Sequence, residues 1–173
     1  MTKKSKLSPE DWLLAGFRAL TQNGPAALKA EALARDLGTT KGSFYWHFAD
    51  VPAFHAAMLA FWEERAFSDV VDQLATEPTS AARLRKLGQI AASANDPSHG
   101  GIGAEPAVRA WARSDSGVAA AVARVDQQRL DYLKWLLGEM NISNPEVARF
   151  VYAASIGMED LASRDGEDNA GAM

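Results

Sequence analysis

The sequence predicts an all-α protein, in which an N-terminal three-helix domain containing a helix-turn-helix is followed by a larger helical bundle. No stretch of the 173 residues alternates apolar and polar positions as a half-buried strand does. Apolar residues instead recur every three or four positions, and residues that cap or stop helices separate these runs. No internal repeat is present, so each helix is justified separately.

The first helix has clear start and stop signals. Ser8 is a favourable N-cap, Pro9 suits the first turn, and Asp11 stands where a capping box places its acidic residue. The Asn-Gly-Pro sequence at 23–25 ends the helix. We therefore predict a helix from Pro9 to this stop.

Residues 28–48 have the layout of a helix-turn-helix. A second helix is predicted over about 29–37, with Leu28, Ala32, Leu33 and Leu37 at the spacing of a core-facing stripe. Gly38 permits a tight turn, and a third helix is predicted from Thr40 to His47. In this motif the helix after the turn enters the major groove of DNA.

The third helix combines core residues with side chains that can donate hydrogen bonds. Phe44 and Phe48 are at apolar spacing, and we assign them to the core. The donors to phosphates or base edges are Lys41, Ser43, Tyr45, Trp46 and His47. Outside such a motif, Tyr45 and Trp46 would more often be half-buried core aromatics, and His47 a packed histidine.

The rest of the chain reads as further helices. A long fourth helix is predicted from Asp50, its cap, towards Leu74, and we expect it to link two domains. The remaining predictions are a break at 76–80, a helix to about residue 94, a loop over 95–103, helices over 105–113, 117–140 and 145–163, and a disordered tail over 164–173.

Composition narrows the class of protein. The chain has no cysteine, which excludes disulfides and thiolate metal sites, and 47% hydrophobic with 23% charged residues is typical of a soluble globular protein. The basic N-terminus lacks the apolar stretch of a secretory signal, and no apolar run reaches the roughly 20 residues that span a bilayer. We expect a cytoplasmic protein with no membrane partner.

The net charge of −4 is unevenly distributed along the chain. Residues 1–48 carry seven Lys or Arg against four acidic residues, a net charge of +3, and the remainder carries eleven against eighteen, a net of −7. A polyanion is therefore attracted to the first segment and repelled by the second. Small basic excesses also occur on ordinary solvated surfaces. The charge distribution alone therefore does not indicate DNA binding, but it supports that interpretation of the helix-turn-helix.

Residues 8–59 resemble the DNA-binding domain of TetR-family transcriptional regulators. The resemblance rests on Leu33-Ala34, Leu37-Gly38 and the run Lys41-Gly42-Ser43-Phe44-Tyr45-Trp46-His47-Phe48. It implies a DNA-binding domain at 1–50, an effector-binding and dimerisation domain at 51–163, and these DNA contacts: Lys29, Thr39, Thr40, Lys41, Gly42, Ser43, Tyr45, Trp46 and His47.

Three residues depart from the family pattern. Lys29 stands where Ser or Thr often caps the second helix, and Val51 replaces a common lysine at the start of the fourth. Glu31 replaces a frequent arginine, so it either repels phosphate or accepts a hydrogen bond from cytosine N4. Fewer phosphate contacts predict a shallower dependence of DNA affinity on salt.

The resemblance also implies dimerisation through the last two helices, because a two-fold operator needs a two-fold protein. The interface candidates are Leu130, Leu133, Leu137, Val147, Val151, Ala154 and Met158, and the alternative is that they form an intrachain core. Candidates for a pocket that holds a small-molecule effector are Phe61, Trp62, Arg65, Ile90, Trp111, Trp135, Phe150 and Tyr152. Aromatic residues at this spacing are more often core.

The function expected from these features is a homodimeric repressor that binds a palindromic operator and is released by an unidentified small molecule. The alternative is a protein-interaction module derived from the same fold, which Glu31 and Val51 keep open. Catalysis is not favoured, because no metal-ligand spacing, nucleophile elbow or phosphate loop occurs. We expect no cofactor and no metal.

Overall fold

The computed structural model describes residues 7–92 and 104–166, and the fold within these ranges is all-α, as predicted. The α-helices are α1 Pro9–Asn23, α2 Ala30–Asp36, α3 Lys41–Tyr45, α4 Val51–Glu63, α5 Asp69–Ala75, α6 Ser80–Ala92, α7 Ala104–Trp111, α8 Ser116–Glu139 and α9 Pro145–Asp165. A 3₁₀ turn, Pro25–Ala27, follows α1, and a π-helical segment, Glu64–Ser68, joins α4 to α5.

The chain divides into two compact units, Met1–Trp62 and Glu63–Met173. The first unit therefore holds α1 to α3 and nearly all of α4. Within the described residues, no helix combines the length and the apolar character that crossing a membrane requires. The predicted loop over 95–103 lies outside the described residues.

The predicted capping box at the start of α1 is present. The Ser8 hydroxyl oxygen accepts a hydrogen bond from the Asp11 backbone N–H at 3.3 Å, and the Ser8 backbone N–H donates to Asp11 Oδ2 at 2.7 Å. Gly24 follows the helix with φ of 71°, a conformation that glycine adopts without the strain of a Cβ. The stop signal read from the sequence therefore acts through Gly24.

An aromatic cluster forms the core of the first unit. Phe44 of α3 is fully buried, and its ring lies 5.4 Å from the Trp12 ring and 5.2 Å from the rings of Phe48 and Phe54. The pairs with Trp12 and Phe54 are edge-to-face and the pair with Phe48 is tilted, and such aromatic pairs add to the free energy gained by burying apolar surface. The cluster fixes α3 against α1 and α4, and the assignment of Phe44 and Phe48 to the core is correct.

The turn between α2 and α3 closes α2 with a paired set of backbone hydrogen bonds. Gly38 has φ of 60°, its N–H donates to the Arg35 carbonyl at 3.1 Å, and the Thr39 N–H donates to the Ala34 carbonyl at 2.8 Å. These are the two bonds of a Schellman motif, which needs a left-handed residue. Gly38 thus makes the turn that the sequence predicted.

Several helix ends differ from the predictions: α7 ends at Trp111 and not at residue 113, and two further differences have a visible cause. α3 ends at Tyr45 and not at His47, because the Phe44 carbonyl accepts from both the His47 and the Phe48 N–H in a closing turn. α9 continues to Asp165, beyond the predicted end at residue 163, and Gly166 caps it with φ of 73°. The predicted disordered tail therefore begins two residues too early, and residues 167–173 lie outside the described residues.

The second unit packs α6, α8 and α9 around a small apolar cluster. Leu133 and Leu137 of α8 and Ala148 of α9 are buried there, and Leu84, Leu87, Val147 and Tyr152 pack against them. Asn144 caps α9, as its sequence predicts, by accepting from the Glu146 N–H at 3.0 Å. Three of the residues predicted as dimer-interface candidates, Leu133, Leu137 and Val147, therefore pack in the intrachain core.

Candidate nucleic-acid interface

One face of α3 is anchored in the core while the opposite face lies in solvent. Phe44 is the buried anchor. Lys41, Gly42, Tyr45 and Trp46 are exposed, with Tyr45 46% and Trp46 86% accessible. Since an aromatic core residue is not left in solvent, the exposure of Trp46 argues against the core alternative for this side chain.

The other predicted contacts lie around this face. Thr40 caps α3, its hydroxyl oxygen accepting from the Ser43 N–H at 3.3 Å, and both Ser43 and His47 are half-buried. Thr39 is half-buried in the turn, and Lys29 is exposed at the N-cap of α2, where its side chain makes no capping hydrogen bond. The nine predicted residues thus include both exposed and half-buried ones.

Gly42 leaves the middle of the exposed face open. A Cβ built on this glycine would have one near neighbour, Thr40 Oγ1, at 3.7 Å. That distance is an ordinary van der Waals contact, so packing within the protein does not require a glycine here. The absence of a side chain instead lets another molecule approach the backbone of α3 closely.

Lys41 at the start of α3 forms an ion pair with Glu31 in the first turn of α2. Lys41 and Glu31 are 50% and 57% exposed, and the Lys41 ammonium also lies 5.8 Å from the centre of the Tyr45 ring. The hydrogen bond between them lowers the pKa of the Glu31 carboxyl and raises the pKa of Lys41. Both groups therefore remain charged at neutral pH.

The sequence did not predict this pair, although both residues were singled out. Their separation of ten positions matches no helical spacing, so the contact depends on how the Gly38 turn brings α3 back towards α2. The signal that could have found it is the placement of opposite charges at the starts of two consecutive helices of a helix-turn-helix.

The second unit contains a polar cluster that the sequence also did not predict, which we call the arginine network. Its members are Glu105, Arg109, Asp126, Arg129 and Tyr152. Arg129 binds both oxygens of Glu105 at 2.7 and 3.0 Å, and Arg109 binds both oxygens of Asp126 at 3.1 and 2.6 Å. The Tyr152 hydroxyl donates to Asp126 Oδ1 at 2.7 Å and accepts from Arg109 at 3.0 Å.

The arginine network balances its charges in a largely buried setting. Burial alone would raise the pKa of Glu105, but the charge and hydrogen bonds of Arg129 and Arg109 hold it below its ordinary value. Burial likewise opposes the charged form of Asp126, whose pKa is nevertheless lowered by its hydrogen bonds from Arg109 and Tyr152. The network thus joins α7, α8 and α9 with two cations and two anions.

The eight effector-pocket candidates do not share one environment. Phe61 and Trp62 belong to the first unit, Arg65 to the π-helical segment, and Ile90 to α6. Trp111 is buried in α7, whereas Trp135 and Phe150 are exposed, Phe150 at 75%. Tyr152 is the candidate that lies in the arginine network. Within the described residues, no group of three or more side chains has the composition of a metal site.

An apolar stripe runs along the outside of α9. Phe150, Val151 and Leu161 are large exposed side chains, and Ala154 and Gly157 lie exposed between them. Phe150, Ala154, Gly157 and Leu161 recur every three or four residues and so share one face of the helix, and Val151 borders this face three residues before Ala154. Val151 and Ala154, two of the predicted interface residues, are on this stripe.

Comparison with known proteins assigns the first unit to a family. Residues 13–50 match the family model described as bacterial regulatory proteins of the tetR family. No curated protein matches the chain. The matched segment runs from α1 through the Gly38 turn and α3 to the start of α4, so it contains the entire helix-turn-helix described above. The first unit therefore contains the DNA-binding domain of a TetR-type regulator.

Proposed function

We propose that the protein is a sequence-specific repressor of transcription that acts in the cytoplasm as a homodimer on a palindromic operator and is released by a small-molecule effector. The observation that carries this proposal is the division of α3 between its buried anchor, Phe44, and its exposed face. A helix held rigidly from one side can place the side chains of its other side in the major groove.

The chemistry of the exposed face suits DNA. Lys41 can donate to guanine O6 and N7 or to a phosphate, and the Tyr45 hydroxyl can donate to either kind of acceptor. Trp46, largely in solvent, offers a rigid apolar surface with one N–H donor. Gly42 between them allows the backbone to lie close to the duplex.

The DNA-binding surface is tested by removing one charge at a time. Lys41→Ala should weaken binding to a selected duplex by about ten-fold, the order expected for one good base or phosphate contact. Lys134→Ala is the matched control, because it removes the same charge from an exposed position in the second unit. Equal affinities of the two variants, measured by fluorescence anisotropy, would exclude α3 as the reading surface.

The α9 stripe supports a dimer. Exposed apolar side chains that form one continuous face are typical of a surface that another protein covers. The small residues Ala154 and Gly157 at the centre of the stripe allow a second helix to pack closely. The occupant we propose is the α9 of a second copy, as a two-fold operator requires.

Sedimentation velocity tests the dimer. The wild-type protein should sediment as a species of twice the 18.6 kDa chain mass. Phe150→Asp, which places a charge on the stripe, should give monomers, and Arg149→Asp, at the adjacent exposed position off the stripe, should leave the dimer intact. Identical behaviour of the two variants would remove α9 from the interface.

The effector is proposed to bind in the second unit, where Tyr152 and the arginine network lie between three helices. A ligand can only change DNA affinity if it binds the released state more tightly than the operator-bound state. Compounds that raise the melting temperature should therefore release the operator in the same concentration range. A set of stabilising ligands with no effect on DNA binding would contradict effector control.

A protein-interaction module remains the second candidate. It is favoured by the Glu31–Lys41 ion pair, which neutralises the charge at the start of α3. Anisotropy of the wild-type protein with the selected duplex and with a duplex of scrambled sequence separates the two functions, because a module without DNA reading binds all duplexes equally weakly.

A further inference from the structure

The Glu31–Lys41 ion pair places a hydrogen-bond acceptor and a donor side by side at the edge of the exposed face of α3. Each side chain is at least half exposed, and Tyr45 lies next to Lys41. An ammonium has three N–H donors, and a carboxylate has about four lone-pair sites. After the pair has formed, both groups can therefore still bind a third partner.

We propose that Glu31 and Lys41 read a single G·C base pair as one unit, with the Glu31 carboxylate accepting from cytosine N4 and the Lys41 ammonium donating to guanine O6. The inference rests on the proposed function, because it assumes that α3 lies in the major groove.

The geometry of the base pair fits the geometry of the ion pair. In the major groove, cytosine presents its N4 amino group as a donor, and guanine presents O6 and N7 as acceptors. Cytosine N4 and guanine O6 are hydrogen-bonded to each other, so they are one hydrogen-bond length apart. Lys41 Nζ and Glu31 Oε1 are also joined by a hydrogen bond, with the donor and the acceptor in the complementary order.

Pairing also explains how a carboxylate can be tolerated beside DNA. An isolated carboxylate at this position would be repelled by the phosphates, whereas a neutral pair is not. A T·A pair presents thymine O4 and adenine N6 in the same order, but the flanking groups differ. The thymine methyl group takes the place of guanine N7, the second acceptor for the Lys41 ammonium, and adenine N7 places a lone pair beside the Glu31 carboxylate, so the pair fits less well.

Selection from a pool of duplexes with a random core, followed by sequencing, tests the inference. The wild-type motif should contain one strongly preferred G·C pair in each half-site. Both Glu31→Ala and Lys41→Ala should relax the preference at that same pair by roughly ten-fold, and the double variant should relax it little further. Because both side chains are exposed, the variants should fold, which circular dichroism checks.

Asp36→Ala is the matched control. Asp36 is likewise an exposed carboxylate of α2 in an ion pair, with Arg18 at 3.5 Å. Its removal changes the charge of the unit as Glu31→Ala does, so it should raise affinity for all duplexes slightly and leave the motif unchanged.

Two results would overturn the inference while leaving the proposed function in place. In the first, Glu31→Ala raises affinity for all duplexes slightly and leaves the motif unchanged, as Asp36→Ala does. Glu31 would then act only by repelling the phosphates. In the second, Glu31→Ala and Lys41→Ala relax the sequence preference at different base pairs, which means that the two residues read DNA separately. If the wild-type protein enriches no motif at all, the proposed function itself fails.

Discussion

The guanidinium of Arg129 on α8 donates two hydrogen bonds to the carbonyl oxygen of Ala66, from Nε at 3.1 Å and from Nη2 at 3.0 Å. Ala66 lies in the π-helical segment, where the backbone departs from the regular α-helical ladder. The same guanidinium binds Glu105 of α7 through both nitrogens of its fork. One side chain thus stabilises an irregular turn and the arginine network together.

Replacing Arg129 should destabilise the second unit strongly. Arg129→Met leaves the Glu105 carboxylate, which is only 13% exposed, without its main partner, and such a loss costs about 3–5 kcal/mol. Urea unfolding followed by circular dichroism measures the change. Arg124→Met is the control, because Arg124 pairs with Glu63 at a position that is 58% exposed and should matter little. Similar losses from both variants would contradict a central role for the network.

Stability should fall as pH rises from about 4.5 to 7 through the titration of Glu159 on α9. Burial, helped by the negative charge of Glu105 and opposed by Arg129 and Arg109, raises the pKa of Glu159 to about 7. The folded state then binds the proton more tightly than the unfolded state, so stability contributed by the neutral carboxyl is lost across this window.

Glu159→Gln removes this dependence. The variant should be more stable than the wild type above pH 7 by an amount on the order of 3 kcal/mol, and the difference should vanish near pH 4. Urea unfolding at a series of pH values gives the difference curve. Parallel curves for the two proteins would show that Glu159 has an ordinary pKa.

Gly42→Ala should weaken DNA binding without reducing the stability of the fold. Alanine has a higher helix propensity than glycine by about 1 kcal/mol, and the added methyl group makes only an ordinary van der Waals contact with Thr40. The melting temperature should therefore stay the same or rise, while affinity for the selected duplex falls because the methyl group holds the backbone away from DNA. An unchanged affinity would mean that DNA does not approach the backbone at this residue.

Val51→Lys should restore a phosphate contact that the resemblance implies is missing. Each added contact steepens the dependence of log Kobs on log salt by about 0.9. For each protomer that gains the contact, the slope should therefore become more negative by about 0.9. Fluorescence anisotropy at salt concentrations between roughly 50 and 200 mM measures this slope. An identical slope would place residue 51 away from the phosphates.

The elements set by local chemistry could be predicted from the sequence. The caps at Ser8 and Asn144 and the turn at Gly38 each depend on residues within a few positions, and all three occur in the structure. The helix-turn-helix itself follows from the same local signals. The residues assigned to its DNA-contacting face remain a prediction.

The relationships between distant elements could not be predicted in this way. The Glu31–Lys41 pair, the arginine network and the hydrogen bonds of Arg129 to Ala66 join residues ten to 63 positions apart. Their formation depends on how helices pack, which hydrophobic periodicity alone does not specify. Leu133 and Leu137 illustrate this limit. Their apolar spacing fits a dimer interface and an intrachain core equally well, and the structure places them in an intrachain core.

The central claim, that a dimer reads DNA through the exposed face of α3, is tested most directly by selection from a random pool of duplexes with the wild-type protein. The account predicts enrichment of a palindrome whose half-site centres lie about one helical turn, roughly 34–36 Å, apart. A pool that remains unenriched, with protein shown to be folded and dimeric, would contradict it.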